Sequence, residues 1–67
     1  MLKLYSLHGC PMCEYTQRVL SEKGIDYMLI TDADVISAKG ISHVPVLETK
    51  DGNLLSGKAL IQYLNRL

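Results

Sequence analysis

Two cysteines are the residues of this chain whose type and spacing most clearly favour chemistry. They occupy positions 10 and 13, are separated by a proline and a methionine, and are the only cysteines present. Such a pair can form a structural disulfide, supply half of a metal site or act as a redox dithiol. A disulfide across so short a loop removes only about 2 kcal/mol of unfolded-chain entropy, which makes a purely structural role the weakest of the three.

A metal site needs more ligands than this pair supplies, because structural zinc is bound by four Cys or His side chains. The only histidines are His8 and His43, and they do not form a second paired motif. A cluster shared between two chains is the form of this alternative that stays open. An isolated CxxC is a weak zinc signal, and the surrounding residues favour the redox dithiol.

The elements around the pair are predicted from local patterns. Residues 2–5, Leu-Lys-Leu-Tyr, are typical of a short strand, and residues 6–9 follow as a loop. Pro11 suits the first position of a helix, where its missing N–H is not needed. Apolar residues then recur with helical spacing from Met12 onward, and Gly24 is suited to ending the helix.

This helix gives the two cysteines different chemistry. Cys10 is predicted at the N-cap, where the backbone N–H groups of residues 12 and 13 and the helix dipole favour its thiolate. The pKa of its thiol should therefore fall from ~8.5 into the range of about 3.5–7.5 that such thiols show. Cys13, one turn further in, is expected to be less exposed and to attack a mixed disulfide on Cys10. Cys10 is thus predicted to be the nucleophile and Cys13 the resolving thiol.

Residues 25–30 are predicted to form a second strand, parallel to the first, in a right-handed βαβ unit. The strand is apolar on both faces apart from Asp26, which predicts a sheet covered on both sides. A short helical segment follows, capped by Thr31 or Asp32 and ending at Gly40. The expected fold at this stage is therefore α/β with a short middle helix.

The last third of the chain predicts a hairpin and a helix. Residues 46–49 and 53–55 are typical of two strands, and Asp51-Gly52 between them indicates a two-residue turn. Ser56 is predicted to cap a final helix. One face of that helix would carry four apolar residues, which are Leu60, Ile61, Leu64 and Leu67.

Length and charge exclude several classes of function. The 67 residues predict one domain over 1–67. Seven basic and seven acidic residues give zero net charge, which argues against nucleic-acid binding and against a polybasic membrane patch. No apolar stretch approaches a membrane span, and the N-terminus lacks the features of a signal peptide. We expect a monomer in the reducing cytoplasm.

The order of these motifs over nearly the whole chain resembles the glutaredoxin branch of the thioredoxin fold. The dithiol helix with Lys23-Gly24-Ile25 looks like the family's first helix, and residues 43–45, His-Val-Pro, stand where the family has Thr-Val-Pro. Residues 55–57, Leu-Ser-Gly, resemble the turn before the last helix. That turn is most similar to the Trp-Ser-Gly of the redoxins that feed ribonucleotide reductase.

The resemblance implies a compact thioredoxin-like α/β fold, with a four-stranded mixed sheet flanked by helices and a shortened middle helix. It also implies that Pro45 is cis and lies beside the dithiol, with the Val44 backbone pairing with a bound thiol peptide. The substrate site implied in this way comprises Pro11, Met12, His43, Val44, Pro45 and Gly57, with no metal ligand.

The activity implied is that of a dithiol–disulfide oxidoreductase, with no tightly bound cofactor, that reduces protein disulfides. Ribonucleotide reductase is the leading substrate by family analogy, and the electron source is glutathione or thioredoxin reductase. Leu7 replaces the family's glutathione-binding lysine, and residues 58–60, Lys-Ala-Leu, replace its acidic residues, so the choice between the two reductants stays open. A metal or iron–sulfur module and a non-catalytic adaptor are the alternatives.

Overall fold

A four-stranded mixed sheet with helices on both faces forms the protein. The structure, a computed structural model, describes residues 1–67. Its elements are β1 (Leu2–Tyr5), α1 (Pro11–Glu22), β2 (Tyr27–Ile30), α2 (Ala33–Ala38), β3 (Val46–Glu48), β4 (Leu54–Leu55) and α3 (Gly57–Arg66). The strand order is β2-β1-β3-β4, in which β1 and β2 are parallel and the other pairs antiparallel. The predicted mixed sheet and short middle helix are confirmed.

Helix α1 begins and ends where the sequence predicts. Pro11 occupies its first turn, and the Lys23 N–H donates to the Val19 carbonyl oxygen at 3.0 Å in the last. Gly24 then adopts a φ of 67°, a left-handed conformation that glycine reaches without a steric penalty. The buried side chains of the helix are Cys13, Thr16 and Leu20, which fall on one face at helical spacing. Cys13, the second cysteine of the dithiol, therefore lies on the buried face of α1.

Two apolar clusters lie on opposite faces of the sheet, because neighbouring residues of a strand point to opposite sides. Leu4 belongs to the larger cluster, which also contains Leu20, Leu47, Leu60 and Leu64. Tyr5, the next residue, packs in the smaller cluster with Ile36 of α2 and Val46. The face that carries α1 and α3 thus holds most of the core, and the face that carries α2 holds the rest.

The second strand is shorter and more exposed than predicted. It begins at Tyr27, because the Ile25 N–H donates to the Leu20 carbonyl oxygen at 2.9 Å and so continues the end of α1. Met28 and Leu29 are 49% and 44% exposed. Helices cover both faces of the sheet, as predicted, but β2 itself is more exposed than its apolar sequence indicates, because it lies at the sheet edge and α2 has only six residues.

The hairpin is present, but its turn differs from the predicted one. The Thr49 N–H donates to the Asn53 carbonyl oxygen and the Gly52 N–H to the Thr49 carbonyl oxygen, both at 2.9 Å, which leaves a three-residue loop at 50–52. A two-residue type I′ turn needs positive φ at both central residues, and only Gly52 has it, at 87°. Ser56 stands at the N-cap of α3 as predicted, but its hydroxyl makes no capping hydrogen bond.

A partly buried hydrogen bond joins β1 to β3, and an ion pair joins the end of α2 to β3. The Tyr5 hydroxyl donates to Glu48 Oε1 at 2.6 Å, and Lys39 Nζ lies 3.1 Å from the same oxygen. The Tyr5 hydrogen bond, followed by that of Lys39, holds the pKa of the Glu48 carboxyl below its usual value. Burial raises the pKa of Tyr5, and its hydrogen bond to Glu48 adds to that shift.

Acid should weaken the protein partly through Glu48. A carboxyl whose pKa is lowered by folding stabilises the protein above its unfolded-state value, near 4.5, and this stabilisation is lost as pH falls through the folded-state pKa. Glu48→Gln should therefore reduce the difference between the free energies of unfolding at neutral and acid pH by about 1 kcal/mol. Denaturant titrations of the oxidised protein near pH 7 and near pH 3 measure that difference. Glu22→Gln, at the exposed end of α1, is the control, and equal pH dependence in the two variants would contradict the assignment.

Candidate redox site

The two cysteines lie at the start of α1 in the predicted arrangement. Cys10 is the N-cap, with φ −105° and ψ 103°, and its Sγ accepts a hydrogen bond from the Cys13 N–H at 3.1 Å. Their Cα atoms are 5.2 Å apart and the two sulfurs form a disulfide. Cys10 is partly exposed, whereas Cys13 is only 1% exposed. Cys10 is therefore the more accessible of the two cysteines, and Cys13 lies behind it.

The start of α1 favours negative charge on Cys10 Sγ. The sulfur faces the positive end of the helix dipole and receives a backbone N–H. That N–H belongs to Cys13. The Met12 N–H, which was also predicted to point at the sulfur, makes no hydrogen bond to it. Thr16 is fully buried one turn further on, and its hydroxyl donates to the Met12 carbonyl oxygen at 2.8 Å. This bond satisfies the buried hydroxyl within the same turn that carries the dithiol.

A groove on one side of the dithiol gathers most of the predicted substrate residues. Its volume is about 330 Å³, and it is lined by Met12, His43, Val44, Pro45, Gly57, Leu60 and Ile61. Pro45 is buried and its bond to Val44 is cis, as the family resemblance implied. The structure leaves Pro11 outside this lining, exposed at the first position of α1.

Two lining residues were not predicted to belong to the site. Their spacing in the sequence places Leu60 and Ile61 on the apolar face of the last helix. Leu60 is indeed buried, but Ile61 is 38% exposed at the groove. Consecutive helix residues point about 100° apart, so one apolar face cannot bury both equally. The signal available in the sequence was an apolar stripe wider than the core needs.

A second, more polar groove lies on the other side of α1. Its volume is about 500 Å³, and it is lined by Ser6, Leu7, His8, Gly9, Cys13, Glu14, Gln17 and Thr31. Cys13 thus reaches this groove, although the residue is almost fully buried. His8 is exposed there, and the chain contains no group of three or more His, Cys, Asp or Glu residues that could hold a metal ion.

The family comparison covers nearly the whole chain. The family described as "Glutathione S-transferase, N-terminal domain" matches residues 4–67. A glutaredoxin-like 8.6 kDa protein of the rubredoxin operon in Clostridium pasteurianum is 36% identical, with 85% of this chain and 84% of the relative aligned. The N-acetyl-S-hydroxy-L-cysteine reductase of Bacillus subtilis is 34% identical over 81% of this chain and 66% of its own length.

The solved structures show the same fold. The glutaredoxin-like protein NrdH-redoxin of Escherichia coli superposes with a TM-score of 0.73 at 26% identity, over 98% of this chain and 92% of that one. Solved glutathione S-transferases also match, but this chain spans only 36% of their length.

The mixed sheet, the dithiol at a helix N-terminus and the cis-proline before β3 define a thioredoxin-fold protein. Within that class, the chain belongs to the glutaredoxin-like family and shares over residues 4–67 the domain that begins the glutathione S-transferases. Family and fold are those that the sequence motifs predicted. No helix of the protein has both the length and the apolar character needed to cross a membrane.

Proposed function

We propose that residues 10–13 form a redox-active dithiol that reduces disulfide bonds in proteins. The observation that carries the proposal is the asymmetry of the pair. Cys10 is partly exposed and its Sγ accepts the Cys13 N–H at 3.1 Å, while Cys13 itself is buried one turn inside α1. This arrangement suits a nucleophile followed by a resolving thiol.

The proposed reaction transfers two electrons from the dithiol to the substrate. The Cys10 thiolate attacks one sulfur of the substrate disulfide, whose S–S bond breaks, and the other sulfur leaves as a thiolate that takes a proton from solvent. Cys13 then loses its proton to solvent and attacks Cys10 Sγ, which releases the second substrate thiolate. The protein is left with the Cys10–Cys13 disulfide, the state seen in the structure, and an external reductant restores the dithiol.

Protein disulfides are the proposed substrate class, with ribonucleotide reductase as the leading candidate. Similarity to NrdH-redoxin supports this choice. The groove that contains Pro45 lies beside Met12, two residues from Cys10, and its residues Val44 and His43 are well placed to contact a bound polypeptide. In this proposal the Val44 backbone pairs with the substrate, as the family resemblance implies, and no tightly bound cofactor takes part.

Thioredoxin reductase is the reductant that the site favours over glutathione. No lysine, arginine, aspartate or glutamate lines the groove beside Pro45, although glutathione carries charges at both ends. At the positions where the family resemblance places its charge partners, this chain has Leu7, which is 38% exposed, and the exposed Lys58. A reducing compartment such as the cytoplasm would keep the dithiol available.

Parallel assays with NADPH test the choice of reductant. Disulfide reduction coupled to thioredoxin reductase should be faster than reduction coupled to glutathione and glutathione reductase. Leu7→Lys should raise the glutathione-coupled rate about two- to fivefold, the effect of one exposed charge pair. Leu29→Lys, at a similarly exposed leucine on the edge strand β2, is the control. The proposal would be contradicted if the glutathione-coupled rate exceeded the rate coupled to thioredoxin reductase and did not change in Leu7→Lys.

A second candidate substrate class is the sulfenic acids of small thiols. The relative from Bacillus subtilis is an N-acetyl-S-hydroxy-L-cysteine reductase, and the same dithiol can carry out this reaction. The Cys10 thiolate would attack the S–OH sulfur, hydroxide would leave and be protonated to water, and Cys13 would resolve the mixed disulfide. Intact-mass detection of an N-acetylcysteine adduct on Cys13→Ser, formed from N-acetyl-S-hydroxycysteine, tests this reaction, and its absence would exclude it.

A further inference from the structure

We propose that the groove beside Pro45 selects polypeptides with apolar side chains next to the oxidised cysteine, and that Ile61 is a specificity-determining residue. The inference rests on the proposed dithiol function and adds to it the chemistry by which a substrate is chosen. The occupant is an extended segment of a substrate polypeptide, held while its cysteine is joined to Cys10.

The lining of the groove carries the argument. Met12, Val44, Pro45, Leu60 and Ile61 present hydrocarbon, and His43 is the only ionisable residue among the lining. Placing an apolar side chain against such a surface removes both from water and is favourable. A carboxylate or ammonium group placed there would lose its hydration and gain no partner of opposite charge. The groove therefore discriminates between apolar and charged neighbours of the substrate cysteine.

A second apolar groove shares His43 and Val44 with the first. It is smaller, about 170 Å³, and its lining includes Leu7, Ile36 and Ile41. His43 and Val44 line both grooves, so a chain that crosses Val44 meets an apolar surface on either side. Side chains alternate along an extended polypeptide. In this proposal, residues before and after the substrate cysteine therefore contact the apolar lining of the two grooves.

Of the two α3 side chains that line the groove, Ile61 is the one that lies outside the core. Leu60 and Leu64 of the same helix are 1% and 3% exposed and belong to the larger apolar cluster, whereas Ile61 is 38% exposed and outside it. Ile61 lines the groove. A substitution here changes the chemistry of the groove while the packing of α3 against the sheet is kept.

Single-turnover kinetics with two peptides tests the inference. Each peptide has one cysteine in a mixed disulfide with 2-mercaptoethanol, flanked on both sides by leucine in one peptide and by aspartate in the other. Fully reduced protein supplies both electrons, and each rate is divided by the rate of the same peptide with dithiothreitol. We expect the leucine peptide to react about 10-fold faster or more, the discrimination typical of one apolar contact. Equal normalised rates in the wild-type protein would overturn the inference, and this comparison needs no variant to fold.

Substitutions then assign the preference to Ile61. Ile61→Lys should reduce the preference about 10-fold and raise the rate of the aspartate peptide, while Ile61→Leu should keep the wild-type preference. Val35→Lys, at an aliphatic residue 45% exposed on α2 and outside both grooves, should leave both rates unchanged. An unchanged preference in Ile61→Lys would overturn the role of Ile61. Bis(2-hydroxyethyl) disulfide carries no amino-acid side chains that could contact the grooves. Failure of the reduced protein to cleave it would instead show that the proposed dithiol function is wrong.

Discussion

Replacement of Cys10 by serine is expected to lower kcat/KM for disulfide reduction about 1,000-fold or more. In the proposed reaction, the sulfur of Cys10, a partly exposed residue at the N-cap of α1, forms the bond to substrate. A serine hydroxyl in its place is a far weaker nucleophile, because no base is positioned to deprotonate it. A coupled assay with bis(2-hydroxyethyl) disulfide and thioredoxin reductase measures the loss.

The serine substitution also separates a loss of reactivity from a loss of stability. It is among the preferred N-cap residues, so its side-chain oxygen can accept the Cys13 N–H that Cys10 Sγ now accepts. The reduced variant should therefore match the reduced wild-type protein in its free energy of unfolding within about 1 kcal/mol. Retention of a tenth of the wild-type kcat/KM would show that Cys10 is not the nucleophile.

Cys13→Ser is expected to stop the reaction one step later, with substrate attached. Cys10 keeps its position at the helix N-terminus and attacks normally, but no thiol follows to release the mixed disulfide. We expect stoichiometric accumulation of an adduct on Cys10 in intact-mass spectra and a fall of about 100-fold or more in the steady-state rate with thioredoxin reductase.

The reciprocal variant provides the control for that trap. Cys10→Ser retains Cys13, but Cys13 is 1% exposed and should form no adduct with the same disulfide. Dithiothreitol should remove the adduct from Cys13→Ser, because the bond is a disulfide. Unchanged steady-state turnover in Cys13→Ser, or an adduct on Cys10→Ser, would reverse the roles of the two cysteines.

The dithiol helix could be predicted from the sequence because its determinants are local. A proline at the first position, a glycine just past the end and an apolar residue every third or fourth position fix the limits of α1. Those limits in turn fix Cys10 at the N-cap and Cys13 inside the first turn. The fold followed from the order of such motifs, which resembled one family along most of the chain.

The features that the sequence did not predict depend on contacts with residues far away in the chain. The strand predicted over residues 25–30 is apolar on both faces apart from Asp26, yet the exposure of Met28 and Leu29 depends on the position of β2 at the sheet edge. Tyr5 and Glu48 are 43 positions apart, and nothing in the sequence pairs them before β1 and β3 are in register. The helical spacing places Ile61 on the same apolar face as Leu60, but it does not show how much of that face the sheet covers.

The pH dependence of alkylation of Cys10 tests the central claim most directly. Reduced Cys13→Ser protein leaves one thiol, and its rate of reaction with iodoacetamide follows the fraction of thiolate. We predict that the pKa of the Cys10 thiol lies well below that of free cysteine, about 8.5, because the start of α1 stabilises the thiolate. Titration at or above the value of free cysteine would contradict it.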